Sequence, residues 1–206
     1  MTLIGGEPPL DKLGHKQTKD RIADMLRKEI LSGRIESGSE LAQEQLAEVL
    51  EVSRMPVREA LQILEMEGLL LRLPNRHMRV VGLDEQALYQ TMRVVAAVET
   101  ELALLFIEHD SLPEEFDPLD NHQFHHRFSK QLQNPYLRQM HRRLLNIYPQ
   151  HVWDTDKDNP QLIQHNETIL RALFNRDADA VRAHIQAYYH TLADLLISNT
   201  KEKNHE

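Results

Sequence analysis

The sequence contains no cysteine, and this absence excludes three kinds of chemistry at once. A chain without thiols has no disulfide framework, no thiolate metal site and no cysteine nucleophile. The sequence also has no apolar run approaching the ~18 residues that a membrane-spanning helix needs. Residues 1–14 carry acidic side chains and two prolines, which is unlike a secretory signal peptide. We therefore expect a cytoplasmic protein with no membrane partner.

Glycine is scarce, and its distribution divides the chain. The seven glycines all lie at or before position 82, so tight turns with positive φ are expected only in the first part. The charge divides at the same point, because residues 1–82 carry a net charge of −1 and residues 83–206 carry −7. Both changes predict two domains between a flexible arm and a polar tail. The predicted segments are 1–14 (arm), 15–83 (first domain), 84–198 (second domain) and 199–206 (tail).

The first domain combines three short helices with a hairpin. Ser53 is the expected N-cap of the third helix, and Pro56 lies in its first turn, where a missing N–H costs little. Gly68 ends that helix, and two apolar segments then flank a polar turn at residues 74–77. This order of elements is the plan of a winged helix-turn-helix. Helical spacing of apolar residues places the three helices at 18–33, 43–50 and 54–67.

The third helix carries the candidate nucleic-acid contacts. Arg54, Arg58 and Gln62 recur every four residues and form a cationic, amide-bearing face. Arginine can bind guanine or phosphate and glutamine can pair with adenine, while the helix N-terminus at Ser53 can bind a phosphate. The alternative is an ordinary amphipathic helix with a solvated charged face. The apolar stripe lies on another face and consists of Val57, Ala60, Leu61 and Leu64.

The predicted hairpin adds to this cationic region. Its tip, Asn75-Arg76-His77, can enter a minor groove or contact the phosphate backbone. Residues 52–81 contain five arginines and three glutamates, so this part is locally positive within an acidic chain. The overall charge of −8 argues against nucleic-acid binding only when the chain is treated as a whole.

The string LAQEQLAEVLEVSRMPVREALQIL, followed by EGLLLRLPNRHMRVV, resembles the GntR family of bacterial transcription regulators. The resemblance implies operator contacts from Arg54 and Arg58, with Ser53 and Met55 at the start of the helix and a contribution from the wing tip. The family usually has Glu or Arg at the start of helix two. This sequence has Gln43-Glu44-Gln45 there. It also has His77 where the wing usually has glycine, which suggests His77 as a new contact.

The second domain is expected to be an antiparallel α-helical bundle, so the fold class is mostly α. Proline and aspartate predict a linker at 109–118 and a loop at 149–160, and Asp177 caps the last helix. The stretches NHQFHHRFSKQLQNPYL and HNETILRALFNRDADAVRAHIQAYY resemble the FCD effector domain of the FadR-like branch, in a shortened form. The predicted helices cover 84–108, 119–132, 135–148, 161–174 and 177–198.

Many FCD domains hold a divalent metal with one aspartate and three histidines. The resemblance aligns these four ligands with Asn121, His125, Asn166 and Tyr188, so His125 is the one family ligand retained. Amide and phenol groups are poor ligands for Zn, Ni or Mn, and we expect no metal cofactor. The four residues, with His184 beside them, are instead a candidate effector pocket. A shifted histidine site is the alternative, built from His122, His126, His165 and His184.

These patterns predict a ligand-responsive, DNA-binding transcriptional regulator. It would act as a homodimer on an inverted-repeat operator of double-stranded DNA, most simply as a repressor, with a small metabolite such as a carboxylic acid as effector. A regulator that no longer binds metal or ligand is one alternative. A histidine-rich, all-α metal-dependent enzyme is the other, but no nucleophile elbow, metalloprotease motif or phosphate-binding loop is present.

Overall fold

The computed structural model describes residues 17–81, 84–109, 117–130 and 132–203, with side chains as far as residue 200. The predicted arm at 1–14, most of the predicted linker and the end of the predicted tail lie outside these residues. Packing divides the chain into two compact units, one built mainly from residues before Gly82 and one from the residues after it. None of the described helices is long and apolar enough to span a lipid bilayer.

The first unit contains three helices and a small antiparallel sheet. Strand β3 lies between β1 and β2, and it pairs Leu41 with Met78 on one side and Leu70 with Val80 on the other. The predicted hairpin is therefore extended by a strand that the sequence patterns did not indicate. The elements are α1 (Thr18–Leu31), β1 (Glu40–Leu41), α2 (Gln43–Val49), α3 (Arg54–Met66), β2 (Leu70–Arg72) and β3 (Met78–Val80).

Helix α3 packs its apolar stripe into this unit. Val57, Ala60, Leu61 and Leu64 are at most 1% exposed, as their spacing predicts. The helix ends before Gly68, whose φ of 78° is the left-handed conformation that glycine tolerates best. The buried face thus fixes which residues of α3 point outward.

The second unit is entirely helical. Two of its helices begin with the same device, in which an asparagine caps the helix and a proline follows: Asn134 precedes Pro135 and Asn159 precedes Pro160. Helices α4 and α9 pack along each other. The large buried core lies between this pair and the shorter helices. The helices are α4 (Glu85–Glu108), α5 (Asn121–Lys130), α6 (Pro135–Leu145), α7 (Tyr148–Thr155), α8 (Pro160–Phe174) and α9 (Ala178–Lys203).

The prediction of a loop at 149–160 is wrong, because helix α7 occupies most of it. Pro149 lies in the first turn of α7, where proline is tolerated, and Val152 and Trp153 are buried. The density of proline and aspartate hid this short apolar face. Helix α9 also continues beyond residue 198, so the first part of the predicted polar tail is helical.

Candidate functional sites: a nucleic-acid interface and a buried polar network

The outward face of α3 presents the predicted reading residues to solvent. Arg54, Met55, Arg58 and Gln62 are all exposed, opposite the buried stripe. Ser53 occupies the N-cap position, as predicted, and its side chain makes no capping hydrogen bond. The exposed hydroxyl and the first-turn N–H groups lie at the positive end of the helix dipole. This end can accept a phosphate oxygen.

The two arginines on this face differ in their surroundings. Nη1 of Arg54 lies 2.6 Å from Oε1 of Glu44, and both side chains are 70% exposed. Nη2 of Arg58 lies 3.6 Å from the sulfur of Met55, and no carboxylate pairs with Arg58 among the described residues. Arg54 therefore has a carboxylate partner in the structure, whereas Arg58 has none among the described residues.

The turn between β2 and β3 is held by Glu40, a residue of β1 that the sequence patterns did not single out. Oε2 of Glu40 lies 3.5 Å from Nδ2 of Asn75 and 3.3 Å from Nδ1 of His77. Arg76, between them, has a φ of 69°, so the left-handed position of this turn is taken by arginine instead of glycine. Asn75 and His77 are thus tied back to the sheet, and Arg76 is the exposed cation at the tip.

In the second unit, the four residues aligned with the family's metal ligands come together. Asn121, His125, Asn166 and Tyr188 lie on three different helices and are at most 3% exposed. The amide of Asn166 donates to Oδ1 of Asn121 (2.8 Å), and the hydroxyl of Tyr188 donates to the same oxygen (3.2 Å). The indole N–H of Trp153 donates to the Tyr188 hydroxyl at 2.7 Å. The structure thus brings these four residues together without His184, and their use as an effector pocket stays a prediction.

The same network contains a buried carboxylate that the sequence analysis missed. Glu99 of α4 is completely buried, with Oε1 2.6 Å from Nδ1 of His125. Its Oε2 lies 3.1 Å from Nε2 of His141 and accepts a hydrogen bond of 2.8 Å from the hydroxyl of Tyr189. Glu99 falls on the apolar stripe of its helix, seven residues after Met92. A lone glutamate in that stripe is a signal that could have revealed it.

Charge keeps Glu99 ionised despite its burial. Burial alone would raise its pKa, but the charge of His125 and hydrogen bonds from His125 and His141 outweigh that effect and bring the pKa down to about 2. In contrast, burial raises the pKa of the Tyr188 and Tyr189 phenols well above their usual value. Both tyrosines therefore act as neutral hydrogen-bonding groups.

The hydrogen bonds also engage both ring nitrogens of His125. The amide nitrogen of Asn166 donates to the carbonyl oxygen of Pro118 (3.0 Å) and to Asn121, so its oxygen must be the atom that faces Nε2 of His125 at 3.1 Å. Nδ1 of His125 faces the Glu99 carboxylate. Both nitrogens of the imidazole thus already have a partner within the network.

This arrangement does not suit a metal of the kind that the family resemblance implies. Both ring nitrogens of His125 are engaged by Glu99 and Asn166, and the amides and the phenol of its neighbours are poor ligands already bonded to one another. Within the part of the chain that the structure describes, no group of three or more histidine or acidic residues is arranged to hold a metal ion.

The remaining histidines do not form the alternative site. His184 is half-buried beside His165, and burial together with the charge of His184 lowers the pKa of His165. Nε2 of His165 lies 3.0 Å from the hydroxyl of Thr191. The rings of His122 and His126 are 4.4 Å apart, and burial followed by the charges of neighbouring histidines lowers the pKa of His126 to about 4. In the described part of the chain, these four histidines are not arranged as a group that could hold a metal ion.

Comparison with known proteins agrees with both halves of this description. Residues 18–80 match the family described as bacterial regulatory proteins, gntR family, and residues 57–191 match the FCD domain. The gluconate operon transcriptional repressors of Bacillus licheniformis and Bacillus subtilis (strain 168) are 41% and 40% identical over 88 and 92 residues. These matches cover 43% and 45% of this chain but only 36% and 37% of the relatives.

Solved structures show the same fold at low identity. McbR/YncC of E. coli aligns with 89% of this chain and 99% of its own, at 18% identity and a TM-score of 0.51. A putative GntR transcriptional regulator of Rhodococcus sp. RHA1 aligns with 87% of this chain and 97% of its own, at 22% identity and a TM-score of 0.53.

Proposed function

The chain belongs to the GntR family of bacterial regulatory proteins and carries an FCD domain, and from that premise we propose how it regulates. It is a transcriptional regulator and not an enzyme, in line with its family and its repressor relatives. In our proposal it acts in the cytoplasm as a homodimer and represses transcription by binding an inverted-repeat operator. A small metabolite bound by the helical domain would change that binding.

The observation that carries this proposal is the exposed face of α3. Arg58 and Gln62 lie one turn apart and point away from the buried stripe, so both can reach base edges in one major groove. Arg54 and Ser53 lie at the start of the helix, near where a phosphate would approach. Arg76 at the hairpin tip adds a contact to the neighbouring backbone or minor groove.

Symmetry supports an inverted repeat. Two copies of one reading helix, related by a two-fold axis, match a palindromic site whose half-sites are spaced by the dimer. The acidic second domain (net charge −7 over residues 83–206) would limit unspecific attraction to DNA, leaving affinity to the first domain.

For the helical domain we propose regulation by a small organic effector without a metal cofactor. The support is chemical, because the residues at the family's ligand positions are hydrogen-bonded to each other. A carboxylic acid remains the simplest class of effector that the family resemblance implies. An effector can shift DNA binding only if its affinity differs between the DNA-bound and free arrangements of the dimer.

DNA binding is the direct test. Fluorescence anisotropy with duplexes from the region upstream of the protein's own gene should give a sequence-selective complex whose affinity falls steeply with salt. Arg58→Gln should weaken that complex about tenfold or more, because it removes a bidentate donor. Arg93→Gln, an exposed arginine of α4, removes the same charge outside the reading face and should not. Absence of any selective complex, with or without candidate acids, would contradict the proposal.

A further inference from the structure

Helices α5 and α6 carry a cluster of basic residues within an acidic domain. Residues 121–145 contain five lysines or arginines and no aspartate or glutamate, although residues 83–206 together carry −7. The five cations are Arg127, Lys130, Arg138, Arg142 and Arg143. Concentration of one sign of charge on two adjacent helices raises the local affinity for anions.

Three of these cations converge on one groove. A groove of about 580 Å³ lies between α5 and α6, and its polar lining consists of His126, Ser129, Lys130, Arg138, Gln139 and Arg142. Arg138 and Arg142 are one turn apart and share a face of α6, while Lys130 is the last residue of α5. No carboxylate in the described part of the chain pairs with any of the three cations.

One cation of this groove, Arg138, is already oriented by a hydrogen bond. Nη1 of Arg138 donates to the carbonyl oxygen of Leu132 at 2.6 Å, which orients its guanidinium at the connection between the helices. Its other N–H groups are free to bind, since a guanidinium carries five donors. Ser129 and Gln139 add neutral hydrogen-bonding groups of the kind that orient a small ligand.

We propose that the groove between α5 and α6 binds a small organic anion that bears a carboxylate or a phosphate group. Three cations without acidic partners repel one another, and an anion relieves that repulsion while it gains charge-assisted hydrogen bonds. Planar guanidinium groups suit both carboxylate and phosphate oxygens. The volume of the groove lies within the range of ligand pockets and suits a metabolite.

The position of the groove connects it to the buried network. Helix α5 supplies His126 and Ser129 to the groove and His125 to the network, while α6 supplies Arg138 and Arg142 to the groove and His141 to the network. An anion that draws the two helices together thus acts on both histidines that bond to Glu99. Only this link to regulation rests on the proposed function, since anion binding itself does not require it.

Calorimetric titration of the full chain tests the site. Inorganic phosphate and succinate are titrated separately at constant ionic strength, with sodium chloride as the reference. We expect saturable binding of at least one probe, at one site per chain. The probe that binds more tightly shows whether the ligand carries a phosphate or a carboxylate group. Arg138→Gln/Arg142→Gln should weaken binding at least about tenfold, whereas Arg93→Gln should leave it unchanged. Equal binding in both variants, or none beyond chloride, overturns the proposal.

Two further measurements distinguish anion binding from other roles of these cations. Circular dichroism establishes that the double variant is folded; if it is not, Lys130→Gln, an exposed substitution at the end of α5, replaces it with the same expectation. DNA binding and sedimentation without added anion should match the wild type. Loss of DNA affinity or a changed oligomeric state would overturn the proposal by assigning these cations to DNA or to a second copy. Wild-type protein that binds phosphate but no operator would contradict the proposed function and leave the groove intact.

Discussion

The carboxylate of Glu99 and the imidazole of His125 meet at 2.6 Å in the interior of the helical domain, and neither side chain is exposed to solvent. The pair lies 26 residues apart in sequence and joins α4 to α5. His141 and Tyr189 complete the shell around the carboxylate from α6 and α9. Side chains from four helices therefore meet at one buried carboxylate.

Replacing that charge should destabilise the protein strongly. Glu99→Gln keeps the size of the side chain but removes the buried carboxylate that faces His125, His141 and Tyr189, and we expect a loss of about 3–5 kcal/mol in the free energy of unfolding. Urea denaturation measures the loss. The matched control is Glu101→Gln on the same helix, whose exposed side chain lies 3.6 Å from Arg182 and should matter by less than about 1 kcal/mol. Similar losses in both variants would contradict a buried ion pair.

Acid should destabilise the protein in two stages. The folded-state pKa of His126 is about 4 against an ordinary 6.5, and that of Glu99 is about 2 against 4.5. In each case the unfolded chain binds more protons than the folded one, so stability falls as the pH drops from 6.5 towards 4 and again from 4.5 towards 2. Denaturation at a series of pH values measures this, and His126→Gln should flatten the profile mainly above pH 4.5. An unchanged profile in that variant would refute the assignment to His126.

Trp153 reports on the network through its own fluorescence. Tyr188→Phe removes the oxygen that accepts the indole N–H, and the unpaired buried donor should cost about 1–3 kcal/mol of stability. Because Trp153 is the only tryptophan, its emission should also change. Tyr136→Phe, at a residue that is 71% exposed, is the control for which neither quantity should move. An unaltered emission spectrum in Tyr188→Phe would show that the indole bond is absent.

Removal of an acid near the reading helix should strengthen DNA binding. Glu44→Gln frees the Arg54 guanidinium and removes a negative charge that a phosphate would meet, so we expect about twofold to fivefold higher affinity, most clearly at low salt. Glu48→Gln, an exposed acid on the same helix, provides the comparison at equal net charge. If both variants gain equally, the effect is one of overall charge and not of the Glu44–Arg54 pair.

Local patterns predicted the local parts of the structure well. The apolar stripe of α3 was predicted, because helical spacing reports on neighbours along one segment. The family resemblance singled out Asn121, His125, Asn166 and Tyr188, because motif strings report on a known fold. The partners of His125 and of the wing turn were missed. Glu99, His141 and Glu40 reach their partners across 26 to 42 residues, and such pairings leave no periodic signal.

Short elements were the other failures. Helix α7 has eight residues, and its Pro149 and Asp154 are equally typical of a loop. Strand β1 has only two residues, too few to show alternation. In each case the local composition predicted no regular element, and contacts with distant parts of the folded chain decided the structure.

The bond between Tyr189 and Glu99 spans 90 residues and joins the last helix of the second domain to its first. Helices α4 and α9 therefore enclose the helices that lie between them in sequence, and the core cannot close until α9 has been made. A growing chain that has not yet released α9 exposes the apolar face of α4, including Leu88, Met92 and Leu102. Folding of this half is thus tied to the synthesis of α9, while the DNA-reading half, whose strands and helices end by residue 80, has all of its elements long before.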